Sequence, residues 1–251
     1  MSFNSLLFTD EIEIEANKQQ NQNLVIYFNG IYIDDLSKLP SIKTDFELIL
    51  EKVGKKGFHA HKAYKNKADS KLLMQLMTTI ILKYELHWFS FPFVKEWLTD
   101  SRLNTYMEND EITVPFKKSN YRASAFYFYL HCINERIKYL PSFSPKVRLY
   151  SDKDTYIRLY HGFEHDGNTL NNIEKIIGSK GKDEPILYLA DHVGYLFRKV
   201  KLALPKEGGI NQIKINPSDK DSELIYDCVK HIKIINSKKL FHYLDFWNIL
   251  T

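Results

Sequence analysis

The chain has 251 residues, 44% of them hydrophobic and 14% aromatic, which suffices for one large core and excludes an intrinsically disordered class. Its net charge of +4 permits nucleic-acid binding without demanding it. The two cysteines, Cys132 and Cys228, lie far apart in apolar helical patterns, so no disulfide framework is expected and a reducing cytoplasm fits. No basic-then-apolar segment opens the chain, so no signal peptide is read. No run approaches the roughly 18 apolar residues of a membrane span.

In chain order, Leu6 to Ile14 reads as a strand with Phe8, Asp10, Ile12 and Ile14 on one face. Thr9, Glu11, Glu13 and Glu15 share the other, which reads as the wet side. After a polar turn over Asn17 to Asn23, Leu24 to Ile33 is a second strand, with Asn29-Gly30 as a turn or bulge inside it. Lys43 to Val53 reads as a helix ended by Gly54. Asp69 to Tyr84 is a longer one, burying Leu73, Leu76, Met77, Ile80 and Ile81. His87 to Phe93 is an aromatic strand. Tyr121 to Leu140 is a helix stopped by Pro141 and Pro145, and Lys146 to Tyr150 is a strand running into Ser151-Asp152.

Leu170, Ile173, Ile176 and Ile177 recur at helical spacing and predict a short helix stopped by Gly178. A helix from Pro185 to Leu202 follows the charged turn Ser179 to Glu184. Beyond Gly208-Gly209 come a strand, Ile210 to Ile215, and a last helix, Ser222 to Ile235. Opening strands followed by alternating helices and strands predict an α/β fold: a mixed central sheet with helices on both faces.

Three acids stand where water is scarce. Asp10 lies on the apolar face of the first strand, and Asp152 ends a buried-looking strand, where open α/β sheets bind ligands. Asp191 lies on a helix with Leu187, Tyr188, Gly194 and Tyr195 around it. An unpaired buried carboxylate costs several kcal/mol, so each needs a cation, a metal or a proton. Three meeting at one point would repel unless a divalent ion held them, and oxygen-only ligands favour Mg²⁺ or Mn²⁺. The structural alternatives are that Asp10 ends the strand or caps a turn, and that Asp152 is ordinary Ser-Asp-Lys-Asp turn chemistry. Asp191 on its apolar helix face has the weakest such alternative.

At these residues the chain resembles the domain of unknown function 3800 family, whose members are expected to have an RNase H-like fold. Leu7-Phe8-Thr9-Asp10-Glu11 matches the family's opening acidic strand, and Phe58-His59-Ala60-His61 its Phe-His segment. Val147 to Asp152 matches its strand ending in Asp, and Leu187-Tyr188-Leu189-Ala190-Asp191 its late Gln-Leu-Ala-Asp helix. The ordered set spans residues 5 to about 202, implying an RNase H-like domain over 1–205 and a C-terminal strand and helix extension, 206–251, packed on it. Ile12-Glu13 replaces the family's Ser-Gly, Tyr188 stands where Gln is usual, and Asp154 competes with Asp152.

The resemblance implies a nuclease cutting phosphodiesters with carboxylate-held Mg²⁺ or Mn²⁺: Asp10 bridging two ions, and Asp152 and Asp191 each completing one side. Glu11 ranks lower as a ligand, because strand alternation points it away from Asp10. His59 would shuttle protons or touch the scissile phosphate. Arg198, Lys199 and Lys201 after Asp191, and Lys62, Lys65 and Lys67 after the histidines, are candidates to hold nucleic acid, DNA or RNA; a solvated helix face is their plain alternative. The lost Ser-Gly also suits an inactive module that binds nucleic acid or a protein partner or self-associates, with the aromatics of Trp88 to Trp97 as its surface, unless those are core. Two zinc readings rank below: His161-Gly162-Phe163-Glu164-His165 as an inverse-zincin motif, and His59, His61 and His87 as a zinc site.

Overall fold

The computed structural model describes residues 5–15, 24–52, 58–64, 70–94, 121–137, 146–152, 170–202 and 213–215. Strands β1 (Ser5–Glu15) and β2 (Leu24–Ile33) form a long antiparallel pair. A 3-10 turn, Leu36–Lys38, opened by the Asp35 carboxylate accepting from Ser37 N–H at 2.9 Å, leads into α1 (Leu39–Lys52). Then come α2 (Ala60–Ala63), α3 (Ser70–Lys83), β3 (His87–Val94) and α4 (Tyr121–Ile137). They are followed by β4 (Val147–Asp152), β5 (Ile173–Ser179) and α5 (Leu187–Lys199). Short strands β6 (Val200–Leu202) and β7 (Ile213–Ile215) pair with each other.

The five main strands make one mixed sheet in the order β3-β2-β1-β4-β5. β2 is antiparallel to both neighbours, and β1, β4 and β5 run parallel. One face carries Leu6 and Phe8 of β1 with Ile31 and Ile33 of β2, buried under Phe46 of α1, Met77 of α3 and Val193 of α5. The other is covered by α4, whose Tyr129 stacks on Phe28 with ring centres 4.8 Å apart. Each large side chain so buried contributes roughly 1.5–3 kcal/mol, which makes this double-sided burial the main source of the fold's stability.

Several expectations from sequence need correction. The Thr9 side of β1 is not wet: Thr9 is buried beneath α4, donating to Asn29 C=O at 3.1 Å and accepting from Tyr129 O–H at 3.1 Å. Further along that face Glu13 is half-buried and pairs with Arg122 of α4. Asn29-Gly30 makes neither turn nor bulge; β2 runs straight through, with Asn29 opposite Asp10 and Gly30 opposite Thr9. The stretch expected to be a helix near Ile173 is instead β5. A bulge skips Glu174 between the pairs Val147–Ile173 and Arg148–Lys175, so Ile173 and Ile176 face α4 from positions three apart. That irregularity made a strand look helical.

The helix expected to run to Leu202 ends at Lys199, where β-branched Val200 begins β6 instead. The β6–β7 pair joins a strand on either side of the expected 205/206 boundary. The expected helix Ser222 to Ile235, the His161 to His165 motif, Asp154, Lys65, Lys67 and the turn over Asn17 to Asn23 lie outside the described residues. Among the described residues, no helix is long and apolar enough to cross a membrane.

Candidate carboxylate site

Alternation along β1 turns Asp10 to the same face as Phe8 and Ile12, toward α5. The parallel register pairs Thr9 with Ser151, so the next residues along each strand, Asp10 and Asp152, lie side by side. α5 packs across β1 and β2 at this level, and Gly194 permits its approach. A Cβ there would lie 2.5 Å from Ile12 Cδ1 and 3.0 Å from Asn29 Nδ2. One turn earlier on the same helix stands Asp191.

The three carboxyl groups thereby share one electrostatic environment. Asp10 has its pKa raised well above the usual carboxylate value, first by burial and then by the negative charges of Asp191 and Asp152. A hydrogen bond from Glu11 N–H to Asp10 Oδ1 at 2.9 Å works in the opposite direction. Among the described residues, the leading charges that act on Asp10 are those of other carboxylates. Glu11 itself lies on the α4 side of β1, as strand alternation required, and adds only a small repulsion.

Asp191, whose side chain is only 16% exposed, is held from the far side. Its Oδ2 accepts from Ala60 N–H at 2.7 Å and lies 3.3 Å from Nδ1 of His59. The carboxylate of α5 thus caps the single turn of α2, for which His59 provides no side-chain cap. The Asp191 hydrogen bond raises the pKa of His59 against burial and the nearby charge of Lys62, with Asp152 adding a weak pull in the same direction as Asp191. His59 is 71% exposed, so it can meet a substrate. The order of elements therefore brings together Asp10, Asp152, Asp191 and His59.

Other expected residues fall elsewhere. Lys62 is exposed one helical turn from His59. Arg198 and Lys199 end α5 about two turns beyond Asp191, roughly 10 Å along the axis. Lys201 lies in β6 opposite Lys214. His87 bonds Asp34 through Nε2 at 3.1 Å and shares the α4 side with its register partner Tyr32, so the sheet separates it from His59 and the His59–His61–His87 zinc reading fails. Of the aromatics expected to form a surface, Phe93 is buried in the core.

Three groups escaped the sequence reading. Asn29 is fully buried on the Asp10 side of β2; reading its Asn-Gly pair as a turn concealed it, although Tyr27, Asn29, Ile31 and Ile33 alternate as one strand face. The Ala60 amide, a backbone group, has no signal in sequence. His192, next to Asp191, is buried and bonds Tyr64 and Thr78.

The register and α5 bring Asp10, Asp152 and Asp191 to one side of the sheet, and burial first, then the charges of the other two acids, raises the Asp10 pKa. Among the described residues, no three His, Cys, Asp or Glu side chains are already drawn together as a metal-ligand group. The chain matches no protein-family model, no curated protein and no solved structure.

Proposed function

We propose that the protein is a metal-dependent nuclease with an RNase H-like domain, hydrolysing phosphodiester bonds at the Asp10, Asp152 and Asp191 pocket with Mg²⁺ or Mn²⁺. One observation carries the reading: the parallel register sets Asp10 beside Asp152, and the close approach of α5 at Gly194 brings Asp191, distant in the chain, to the same side, where both acids add to the raised pKa of Asp10. Such repulsion is costly in a protein that binds nothing there and is relieved by a divalent ion. The four segments that resemble the domain of unknown function 3800 family supply the whole pocket, including His59, and the mixed sheet with helices on both faces agrees with the fold expected from that resemblance.

A bound divalent ion would supply Lewis acidity, making an attacking hydroxide available and steadying the leaving oxygen. Asp10, Asp152 and Asp191 would hold it. His59, exposed and kept readily protonated by Asp191, is suited to deliver a proton to the leaving oxygen. Lys62 stands where it can attract the phosphate backbone, and the Arg198, Lys199 and Lys201 run offers a second contact further along.

The test is cleavage of fluorescent single- and double-stranded RNA and DNA by the purified chain with Mn²⁺ or Mg²⁺. Metal-dependent cleavage that disappears in Asp10→Asn, Asp152→Asn and Asp191→Asn, and with chelator, is expected. A second reading, an inactive module that binds nucleic acid or a protein partner, is favoured by Ile12-Glu13 standing where the resembled family has Ser-Gly. Nucleic-acid binding that is insensitive to metal and to the aspartate variants, with no cleavage, would establish that alternative.

A further inference from the structure

Four residues of α5 grip the segment 58–64. Tyr188 meets Phe58 edge-on with ring centres 5.7 Å apart, and Asp191 takes the Ala60 N–H at 2.7 Å. His192 Nδ1 lies 2.6 Å from the Tyr64 hydroxyl, and Tyr195 packs on the Tyr64 ring at 4.7 Å. The polar contacts at His192 form a directed chain. Thr78 donates its hydroxyl hydrogen to Met74 C=O at 2.9 Å, so towards His192 Nε2, 3.1 Å away, it can only accept. Nε2 therefore carries the imidazole hydrogen, Nδ1 is an acceptor, and Tyr64 donates to it. All three side chains are buried, so no solvent substitutes for a lost partner.

From these contacts, and resting on the reading of the carboxylate pocket as a divalent-metal site, we propose that Tyr64 is a positioning residue for Asp191. Its hydroxyl, through His192 and Thr78, fixes the rotation of α5 about its axis. Adjacent residues on a helix point about 100° apart, so the wedge that seats His192 between α2 and α3 also sets the direction of Asp191. The lever is long: side-chain ends lie roughly 5–6 Å from a helix axis, so a rotation of about 20° would carry the carboxylate roughly 2 Å. Metal ligation tolerates about 0.2 Å. Asp191 itself is fixed on one oxygen by Ala60, whose segment Tyr64 closes.

The experiment is Mn²⁺ binding, followed by electron paramagnetic resonance of the free ion, on the full chain and its variants. Tyr64→Phe keeps the ring and removes only the hydroxyl; its Mn²⁺ dissociation constant is expected to rise roughly tenfold, the scale seen when an outer partner of a metal ligand is lost. Thr78→Val, cutting the far end of the same chain, should do the same, and Thr78→Ser, which keeps the hydroxyl, should restore wild-type affinity. Asn134→Ala removes the distant side-chain oxygen that accepts from Asn172 N–H at 2.8 Å, and should lower the melting temperature without moving the dissociation constant. Wild-type affinity in both Tyr64→Phe and Thr78→Val overturns the positioning role while leaving the metal site intact. If the wild-type chain binds no Mn²⁺, or Asp191→Asn binds it equally well, the metal reading falls and this role with it. Should Tyr64→Phe fail to fold, Thr78→Val against Thr78→Ser decides alone.

Discussion

Asp10, half-buried, and His192, fully buried, are two titratable groups whose environments disfavour their charged forms, and they tilt stability in opposite directions with pH. For Asp10 the folded pKa lies above the ordinary 3.8, so the native state holds a proton that the unfolded chain has released. Its contribution is fully present below the unfolded value and is lost as pH rises through the folded one, at about 1.4 kcal/mol for each pH unit that separates the two. In chelator, Asp10→Asn should therefore be more stable than wild type by a margin that grows as pH rises above the ordinary 3.8, read from melting temperatures. A margin that stays flat with pH would mean that Asp10 is not strained.

His192 behaves in the reverse sense. Burial lowers its pKa from 6.5 to about 3, so the unfolded chain takes up a proton that the native state refuses. Its stability contribution is present above 6.5 and is lost as pH falls towards about 3, on the order of several kcal/mol in all. His192→Gln should start lower by about 1–3 kcal/mol, from the hydrogen bonds it weakens, yet lose this part of the acid slope. Denaturant titrations between those two pH values measure both effects.

At the scale of elements, much was legible where side-chain spacing and tertiary surroundings agreed. α3, β3 and α4 lie close to the bounds their apolar spacing predicted, and α3 and α4 are long helices that bury one stripe. Legibility failed where a long-range contact altered the pattern. The β5 bulge gave Ile173 and Ile176 a helical interval, and α4 covered a β1 face whose Thr and Glu residues looked solvated. Asp10, Asp152 and Asp191 could be picked out because each conflicts with its apolar surroundings, whereas the Ala60 amide and the Tyr64–His192–Thr78 chain depend on contacts that no local pattern encodes.

Two substitutions probe element geometry. Glu85, in the link from α3 to β3, has φ 52°, and the next N–H, that of Leu86, closes back on Ile81 C=O at 2.9 Å. This is a helix C-cap that glycine fits without strain, so Glu85→Gly should raise stability by about 0.5–1 kcal/mol in chemical denaturation. Gly194→Val forces methyl groups against Ile12 and Asn29 and should cost about 1–3 kcal/mol while moving Asp191 away from Asp10. An unchanged Mn²⁺ affinity in that variant would show that α5 does not need its close approach to β1.

For the whole molecule, β1, β4 and α5 gather the carboxylates on one side of the sheet, with Lys62 exposed nearby and Arg198 to Lys201 further along the chain from Asp191. If those cations track a polymer, Lys199→Glu with Lys201→Glu should weaken nucleic-acid binding and flatten its dependence on salt, each lost phosphate contact removing roughly one unit of slope. Binding that keeps its salt slope would assign these lysines to a solvated surface. Neither result would alter the carboxylate pocket, which stands or falls on its affinity for a cation.

The most direct test of that pocket is calorimetric titration of the chelator-treated chain with Mn²⁺. Saturable binding that is abolished in Asp10→Asn and in Asp191→Asn, and weakened in Asp152→Asn, is expected from three carboxylates sharing one divalent-ion site. Heat of dilution alone from the wild-type chain, or equal binding by all three variants, would contradict it.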